Sequence, residues 1–401
     1  MSLRLALVTR RFWPLVGGAE MAMANLAAEF RRQGHSVRIV TSRWEKHWPL
    51  EMVHREVPVT RLPHPRTRGW GTLRYMYALS AWLHREKYNL DAVLVSMLKH
   101  DAYCAVGALQ KSGVPVILRG EGAGLGGDCV WQQTARFGLR IRKRCQGASA
   151  FIAPSDAIAL ELREAGYAAE RIARIDNGVA IPPPQSPATR DAARAALGDA
   201  NSDLRLEPNA PLAVYTGRLH PDKGLLDLVN AWRPITERWP TARMWLVGEG
   251  PLREELFHRV SDLDLKYRIC LPGAFDDTEQ VLEAADMFIL PSYSEGMSLS
   301  LLEAMAAGIP VIASDIAGNR ALVAHEQSGL LVPPRDVRGL SLAIARLLEQ
   351  PALRVALGSR ARQEVQAKYS LEKMGREHLK LIERLSSLYG QHSSARQVPM
   401  S

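Results

Sequence analysis

The chain has 401 residues, which exceeds the usual size of one domain and predicts two domains of nearly two hundred residues each. Its 47% hydrophobic and 23% charged residues are ordinary for a soluble globular protein, and no uninterrupted apolar run reaches the length of a membrane-spanning helix. The N-terminal apolar run is too short for a signal peptide and the four cysteines lack paired spacing, so we expect a cytoplasmic protein with reduced thiols.

The positive charge is concentrated in the first half of the chain. Within the net charge of +9, residues 1–180 carry 26 Lys and Arg against 15 Asp and Glu, a net +11, and the remainder carries 25 against 27, a net −2. A basic first half indicates an anionic partner such as phospholipid headgroups, a polyprenyl diphosphate or nucleic acid. A basic surface that only aids solubility explains the same pattern equally well.

The first half predicts strands that alternate with helices. An apolar strand over Leu3–Val8 is followed by Gly17 and Gly18, and a helix is predicted from about Ala19 to Gln33. This unit begins a doubly wound α/β sheet. The two glycines let a ligand approach the amides of the helix start, or they only form a tight turn. Further strands are predicted over Val37–Thr41, Ala92–Ser96, Val114–Leu118 and Ala150–Ala153.

Polar side chains follow two of these predicted strands. A glycine-rich loop after Leu118 carries Arg119, Glu121 and Asp128, and the preceding strand is followed by Lys99, His100 and Asp101. Parallel α/β sheets bind ligands at the carboxyl ends of their strands. We therefore expect a ligand contact in this region, with Arg119, Glu121 and His100 as candidates.

A basic segment and a proline-rich segment close the first half. Residues 131–144 predict a basic helix whose narrow apolar stripe, through Phe137 and Ile141, faces either the domain core or an anionic membrane. The core is the preferred interpretation. Three consecutive prolines at 182–184 forbid a helix and mark the domain boundary, and residues 185–210 are interpreted as a linker with a short helix.

The alternation of strands and helices restarts at Leu212. The first strand of this half runs into Gly217-Arg218-Leu219 and then Lys223-Gly224. Arg218 supplies a fork of donors and Lys223 a mobile point charge, a combination that suits a diphosphate. The strand over Arg243–Val247 ends in Gly248-Glu249-Gly250, whose glycines permit close packing against a base or ribose.

The stretch that follows Met287 carries the most information. A buried strand leads into a polar turn and then a short helix that Gly308 ends. The turn contains, in order, Glu295, Gly296, Met297 and Ser298. A helix start presents backbone N–H groups that bind anions, and Glu295 and Glu303 on either side of it suit the hydroxyls of a sugar nucleotide. Alternatively, Glu303 only closes the helix start in a capping box with Ser300.

Together these motifs resemble the retaining glycosyltransferases of family 4. Glu295 and Glu303, followed by Ala-Met-Ala-Ala-Gly-Ile-Pro-Val, are similar to the donor-site motif of that family. Gly217-Arg218-Leu219 with Lys223-Gly224 is similar to its phosphate-binding motif, and Gly17-Gly18-Ala-Glu and Asn177-Gly178-Val match further segments. The resemblance covers most of the chain and is strongest over residues 212–334.

The resemblance implies the GT-B fold, an α/β architecture of two Rossmann-like doubly wound domains that face a cleft. The expected first domain, over residues 1–180, binds the acceptor and is completed by a C-terminal helix at about 371–390 that returns to it. The expected second domain, over residues 181–370, binds the donor nucleotide. Residues 391–401 are interpreted as a disordered polar tail.

The resemblance also implies a metal-independent, retaining reaction without a cofactor. A hexose would move from a nucleotide-diphosphate sugar to a saccharide or lipid-linked acceptor in glycan or glycolipid synthesis. The expected residues of the reacting centre are Arg218, Lys223 and Glu295. The expected donor-binding residues are Gly17, Gly18, Gly217, Gly248, Gly250, Gly296, Met297, Ser298 and Glu303. On the acceptor side, many members carry a histidine where this chain has the Arg119 loop, so Arg119, Glu121 and His100 are the candidates.

Two other classes of function remain open. A sugar-nucleotide epimerase or a phosphorylase has the same architecture, although neither the extra acid–base groups of the one nor the cofactor lysine of the other is evident. A non-enzymatic anion- or nucleic-acid-binding module would explain the basic first half. Residues 136–144 offer only Phe137 for stacking, so nucleic acid is not expected. Peripheral contact with an anionic membrane, at its inner face, is a further expectation.

Overall fold

The computed structural model describes residues 2–15, 17–64, 70–275 and 277–394. The chain divides into two compact units. The first comprises the chain up to Asn177 together with the segment that starts at Leu371, and the second comprises Gly178–Ser370. Each unit is built on one sheet, and the central strands of each sheet are almost entirely buried, so helices or loops cover both of their faces.

The first sheet has the strand order β3-β4-β2-β1-β5-β6-β7-β8. Its strands are β1 (Arg4–Val8), β2 (Ser36–Arg43), β3 (Glu51–His54), β4 (Val57–Pro63), β5 (Ala92–Ser96), β6 (Val116–Arg119), β7 (Ala150–Ala153) and β8 (Ile172–Arg174). The edge strand β3 runs antiparallel to β4, and the other described pairs are parallel. The helices of this unit are α1 (Gly18–Arg32), α2 (Trp70–Glu86), α3 (His100–Leu109), α4 (Asp128–Thr134), α5 (Gly138–Cys145), α6 (Asp156–Glu164) and α15 (Leu371–Ser394).

Alternate residues of β1 face two separate apolar cores. Val8 packs in one core with Tyr75 of α2, and Leu7 packs in the other with Phe30 of α1. Successive side chains of a strand point to opposite faces, so one short apolar strand supports helices on both sides. This places β1 near the centre of the sheet. Because β1 and β5 are adjacent and parallel, the loops that follow them leave the same edge of the sheet.

The C-terminal helix belongs to the first unit, as predicted. α15 packs against α1, and its residues Met374, Ile382 and Leu385 lie in the same core as Phe30. The predicted tail over residues 391–401 is wrong at its start, because α15 continues through Ser394. Residues 395–401 lie outside the described part of the chain.

The second sheet has the strand order β11-β10-β9-β12-β13-β14, and its described pairs are parallel. Its strands are β9 (Leu212–Thr216), β10 (Arg243–Val247), β11 (Ile269–Gly273), β12 (Met287–Leu290), β13 (Val311–Ser314) and β14 (Leu330–Val332). Its helices are α7 (Pro187–Ala200), α8 (Leu225–Arg238), α9 (Arg253–Asp262), α10 (Glu279–Ala284), α11 (Leu299–Ala307), α12 (Ala317–Arg320), α13 (Val337–Glu349) and α14 (Pro351–Lys368). A parallel sheet with crossover helices is a Rossmann-like unit, as predicted.

Residues 185–210 contain a helix, as predicted, but they are not a linker, because the segment lies within the second unit. α7 occupies most of this segment and packs against α10. Arg190 and Arg194 both pair with Asp286, at 3.0 and 2.8 Å, and so attach α7 to the start of β12. Because this partner lies far along the sequence, the composition of the segment alone did not reveal a packed helix.

The basic segment over residues 131–144 forms two short helices and not one. α4 ends at Thr134, and α5 starts at Gly138, where a Cβ would lie 2.1 Å from the carbonyl oxygen of Gln132. Ile141 is buried, as the core interpretation requires, but Phe137 is exposed. The predicted stripe is therefore divided between the core and the surface.

The strands β3 and β4 were not predicted, because charged residues and Pro58 interrupt their short apolar pattern. All four cysteines are free thiols. Within the described ranges, no helix combines the length and the apolar character that crossing a bilayer requires.

Candidate functional site

The strand order of the second sheet reverses between β9 and β12: β10 and β11 lie on one side of β9, and β12, β13 and β14 lie on the other. β9 pairs with β10 on one side and with β12 on the other, so the loops after β9 and β12 leave the sheet on opposite sides of one point. Ligands of open α/β sheets bind in the crevice at such a point, outside the carboxyl ends of the strands. The predicted residues Arg218, Lys223 and Glu295 all lie in these two loops.

Glycines join the loop after β9 to the loop after β10. Gly217 and Gly248 have φ angles of +149° and +148°, which favour glycine. A Cβ on Gly248 would lie 1.8 Å from the carbonyl oxygen of Gly217, and one on Gly250 would lie 2.2 Å from that of Leu219. These glycines therefore let the two loops pack against each other. The sequence had indicated only the close approach of a base or ribose for Gly248 and Gly250.

An ion pair connects the loop after β9 to the loop after β12. Lys223 Nζ lies 2.7 Å from Glu295 Oε1, and the two side chains are only 16% and 11% exposed. Gly224, beside Lys223, has a φ of +63°, and a Cβ there would lie 2.1 Å from the carbonyl oxygen of Pro291. The structure thus brings two of the three predicted reacting-centre residues into direct contact.

The third of these residues, Arg218, is exposed at the same edge of the sheet. The hydroxyl of Tyr215 donates to the carbonyl oxygen of Arg218 at 2.8 Å, which fixes the backbone at this point. Among the described residues, no carboxylate lies within ion-pair distance of its guanidinium. Its donors are therefore available to a bound anion.

The helix α11 starts at the same edge of the sheet, after the loop that follows β12. Ser298 is its N-cap and accepts a hydrogen bond from the amide of Leu301 at 3.3 Å, so the alternative of a capping box around Ser300 is wrong. Glu303 lies half-buried in the second turn of the helix. The turn before α11 contains Glu295, Gly296 and Met297, and α12 packs against it so closely that a Cβ on Gly318 would lie 2.2 Å from the carbonyl oxygen of Glu295.

The remaining predicted donor-binding residues, Gly17 and Gly18, lie in the first unit at the start of α1. Gly17 is the N-cap, with an extended backbone that any residue adopts (φ −156°). A Cβ on Gly18 would meet no heavy atom within 4 Å. The backbone angles therefore do not require glycine at either position. The contact of Gly17 and Gly18 with the donor stays a prediction.

Two of the acceptor-side candidates, Arg119 and Glu121, form a buried ion pair at the carboxyl end of β6. The Arg119 side chain is 1% exposed and also donates to the side chain of Asn177. Glu121 Oε1 accepts a hydrogen bond from Ser96 at 2.8 Å. Burial raises the pKa of Glu121, and the charge of Arg119 opposes that shift. Both side chains therefore bond to protein groups, and their contact with an acceptor stays a prediction.

The third candidate, His100, is the first residue of α3 and is half-buried. Its ring centroid lies 5.2 Å from that of Trp131. Burial lowers the pKa of His100 to about 4, and the positive charges of Arg10 and Lys99 lower it further in the same direction. The imidazole is therefore neutral at physiological pH and can accept or donate a hydrogen bond.

Sequence analysis missed a cation at the carboxyl end of β1. Arg10 Nη1 lies 3.4 Å from Asp101 Oδ1, and Arg10 Nη2 donates to Thr72 Oγ1 at 3.0 Å. The guanidinium lies over the ring of Tyr75, 4.4 Å from its centroid, and the Tyr75 hydroxyl donates to Asp101 Oδ2 at 3.0 Å. A signal was present in the sequence: Arg10 follows the first strand of its sheet by two residues, as Arg218 follows β9.

The chemistry available at the second sheet is that of an anion site beside carboxylates. Two cations and the first turn of α11 suit an anion, and Glu295 and Glu303 suit hydroxyl groups. In the part of the chain that the structure describes, no group of three or more His, Cys, Asp or Glu residues is arranged to hold a metal ion. An Asp-x-Asp pair, Asp262 and Asp264, is exposed where α9 leads to the amino end of β11, away from the carboxyl edge of the sheet.

The comparisons with known structures show the fold. Sucrose-phosphate synthase from Thermosynechococcus elongatus superposes with a TM-score of 0.80 at 24% identity, over 96% of this chain and 100% of that one. Anabaena HepE, solved in complex with UDP and glucose, superposes with a TM-score of 0.76 at 21% identity, over 95% of this chain and 99% of that one. This likeness establishes the architecture of the chain.

The comparisons of sequence show the family. UDP-Gal:alpha-D-GlcNAc-diphosphoundecaprenol alpha-1,3-galactosyltransferase from Escherichia coli is 36% identical over 155 residues, which span 38% of this chain and 40% of that protein. Residues 16–181 match the model of Glycosyltransferase Family 4, and residues 210–350 match the model of Glycosyl transferases group 1. Together the two matches account for most of the chain, one in each unit. The chain therefore belongs to the group 1 glycosyltransferases of the family 4 type and has the GT-B fold.

Proposed function

We propose that the chain moves a hexose from a nucleotide-diphosphate sugar to a saccharide or lipid-linked acceptor, with retention of the anomeric configuration and without a metal ion. The observation that carries this proposal is the convergence of Arg218, Lys223 and Glu295 at the crevice between β9 and β12. The structure of Anabaena HepE with UDP and glucose supports a UDP-sugar as the first donor to test. The Escherichia coli relative, whose name specifies a sugar on diphosphoundecaprenol, supports a lipid-linked saccharide as the acceptor.

The leaving diphosphate gains negative charge as the glycosidic bond breaks. Arg218 offers several donors in one plane, and Lys223 offers a point charge from the same loop. The first turn of α11 adds backbone amides at the same edge. Interactions that strengthen only as this charge develops lower the barrier of the reaction. In this proposal the two cations supply the charge neutralisation that a metal ion supplies in other transferases.

Glu295 orients the donor sugar and is not a covalent nucleophile in this proposal. Its carboxylate is held by Lys223 at 2.7 Å, which fixes one oxygen and leaves the other for sugar hydroxyls. Glu303, in the second turn of α11, would contact the ribose hydroxyls. The acceptor hydroxyl attacks the anomeric carbon from the face that the diphosphate leaves, and the departing diphosphate takes the proton. This path retains the anomeric configuration.

Binding of nucleoside diphosphates tests the donor part of the proposal. UDP and GDP are titrated into the wild type and into Arg218→Gln and Lys223→Ala, with Lys266→Ala as a control because Lys266 is an exposed cation of the same unit. Loss of one charge-assisted contact of about 1.5–3 kcal/mol should weaken binding by roughly tenfold or more. The control should bind like the wild type. Failure of both nucleotides to bind, or an equal loss in Lys266→Ala, would contradict the donor site.

The anomeric outcome and the need for a metal are tested on the transfer reaction. We expect product formation from the donor to continue in excess EDTA, because Arg218 and Lys223 neutralise the diphosphate. We expect NMR of the product to show the same anomeric configuration as the donor. Loss of transfer in EDTA that added Mg²⁺ restores would contradict metal independence, and an inverted product would contradict the proposed path.

A surface of the first unit supports contact with an anionic membrane. Trp70, Leu73 and Tyr77 are exposed at i, i+3 and i+7 along α2, and Phe137 and Leu139 are exposed at the start of α5. An open groove between α2, α3 and α5 is lined by Met76, Tyr77, Ser80, Tyr103 and Arg144. The rest of α5 carries Arg140, Arg142 and Lys143. Exposed aromatic residues beside cations are typical of proteins that lie on anionic bilayers.

Sedimentation with vesicles tests this contact. We expect the wild type to bind vesicles that contain anionic phospholipid more strongly than vesicles of neutral phospholipid. Trp70→Ser/Tyr77→Ser should weaken that binding, whereas Phe257→Ser/Tyr267→Ser should not, since this control removes two exposed aromatics of the second unit. Equal binding to both kinds of vesicle, or an equal loss in both variants, would contradict the membrane contact.

A further inference from the structure

The two sheets of the protein carry the same arrangement at the point where their strand order reverses. In the first sheet β1 lies between β2 and β5, and in the second sheet β9 lies between β10 and β12. In the first unit a cation follows β1 and pairs with a carboxylate that follows β5. In the second unit a cation follows β9 and pairs with a carboxylate that follows β12. The pair is Lys223–Glu295 in the second unit, at 2.7 Å, and Arg10–Asp101 in the first, at 3.4 Å.

The guanidinium of Arg10 is held in one position by several groups. Besides Asp101 and Tyr75, it contacts Thr72 at 3.0 Å and a ring nitrogen of His64 at 3.2 Å. Its own carbonyl oxygen accepts hydrogen bonds from Ser42 at 2.8 Å and from the indole of Trp44 at 3.1 Å. A cation that is fixed before a ligand arrives loses little conformational freedom on binding.

The cations at this point are more exposed than the carboxylates with which they pair. The Arg10 side chain is 20% exposed and that of Asp101 is 6% exposed. Lys99, after β5, is 29% exposed, and its partner Asp128, at 3.8 Å, is 5% exposed. A ligand that approaches the carboxyl end of β1 therefore meets the positive member of each pair first. Such a crevice attracts anions and concentrates them at the site.

Neighbouring groups suit the sugar that would accompany an anion. Burial, together with the nearby charges of Arg10 and Lys99, lowers the pKa of His100 in the first turn of α3, so the imidazole stays neutral and can bond a hydroxyl. Burial and Arg10 lower the pKa of His64 in the same way. The half-buried rings of Trp44 and Trp131 lie beside the two cations, with Lys99 Nζ 5.6 Å from the centroid of the Trp131 ring.

We propose that the crevice at the carboxyl ends of β1 and β5 binds a phosphate or diphosphate group of the acceptor through Arg10 and Lys99. This inference rests on the proposed function, since it names the acceptor as a phosphorylated saccharide. The phosphate belongs either to a soluble sugar monophosphate or to a diphosphate that links the sugar to a lipid. Arg10 and Lys99 fix the acceptor through this group, and the neutral imidazole of His100 faces its hydroxyls.

Inorganic pyrophosphate and phosphate are the probes, titrated into the full chain with saturating UDP so that the second unit is occupied. We expect pyrophosphate to bind the wild type, and Arg10→Gln to weaken this binding by about tenfold or more. Lys99→Gln should also weaken it, and it serves as the second variant because Lys99 makes fewer internal contacts. Arg11→Gln is the control, since Arg11 is an exposed neighbour outside the cluster. UDP affinity and the thermal unfolding curve show that each variant is folded.

Absence of pyrophosphate binding to the UDP-saturated wild type would overturn the inference, as would an equal loss in Arg11→Gln and Arg10→Gln. Tighter binding of pyrophosphate than of phosphate supports a diphosphate-linked acceptor, and equal binding supports a sugar monophosphate. If UDP does not bind at all, the donor part of the proposed function fails separately. The first unit is then tested in the Arg218→Gln/Lys223→Gln background, where the two cations of the proposed donor site are gone.

Discussion

Replacing Lys223 by Met should affect folding and transfer through two different contacts. Lys223 bonds to Glu295 at 2.7 Å, and both side chains are largely buried. A hydrogen bond between charged groups contributes about 1.5–3 kcal/mol. The variant leaves the Glu295 carboxylate without its cation, so the free energy of unfolding should fall by about that amount.

The effect on transfer arises from the diphosphate. If the substitution removes a contact of about 1.5–3 kcal/mol between Lys223 and the leaving diphosphate, kcat/KM falls roughly 10- to 150-fold. The double variant Lys223→Met/Glu295→Gln separates the two effects. It removes the unpaired charge, so stability should return most of the way to that of the wild type, while transfer stays low.

Two measurements on the same preparations decide the matter. Urea unfolding gives the free energy of unfolding, and initial rates with the nucleotide sugar that the binding test selects give kcat/KM. The control is Arg243→Met, which breaks the pair with Glu207 (2.8 Å) at the amino end of β10, away from the crevice. It should leave kcat/KM within about twofold of the wild type. Wild-type turnover in Lys223→Met, or recovered turnover in the double variant, would refute the reasoning.

Three further predictions concern other parts of the structure. Gly248→Ala should destabilise the protein by about 2 kcal/mol or more and weaken UDP binding, because its Cβ would lie 1.8 Å from a carbonyl oxygen. Gly18→Ala should be tolerated, because the space around Gly18 is open. Differential scanning calorimetry measures the stability of both variants. Arg119→Met should cost about 3–5 kcal/mol in urea unfolding, since it leaves Glu121 buried without its cation, and Arg119→Met/Glu121→Met should cost less. Burial lowers the pKa of His378 to about 3, so below pH ~6.5 the unfolded chain takes up a proton that the folded protein does not. The wild type should therefore lose stability relative to His378→Leu as the pH falls from 6.5 to 5, with a slope that approaches about 1.4 kcal/mol per pH unit at the lower end, and a constant difference would contradict this.

Local sequence determined most of the buried parallel strands and the identity of the functional loops. Parallel strands covered on both faces are continuous apolar runs, so β12 and β13 were visible as such, and Gly308 marked the end of α11. The motifs around Arg218 and Glu295 indicated the family for the same reason, since each is a short local pattern. Where an element is stabilised by distant partners, as α7 is by Asp286, local composition gave the wrong interpretation.

Tertiary structure alone decided which of these residues meet. Lys223 and Glu295 are 72 positions apart, and Arg10 and Asp101 are 91 positions apart, yet strand order places both pairs at the carboxyl ends of adjacent strands. It also decided exposure: Arg119, a predicted ligand contact, is buried with Glu121, and Arg10, which drew no attention in the sequence, stays partly exposed. The physical reason is that charge pairing and burial depend on the neighbours in space that the sheet topology supplies, and a single sequence records neighbours only along the chain.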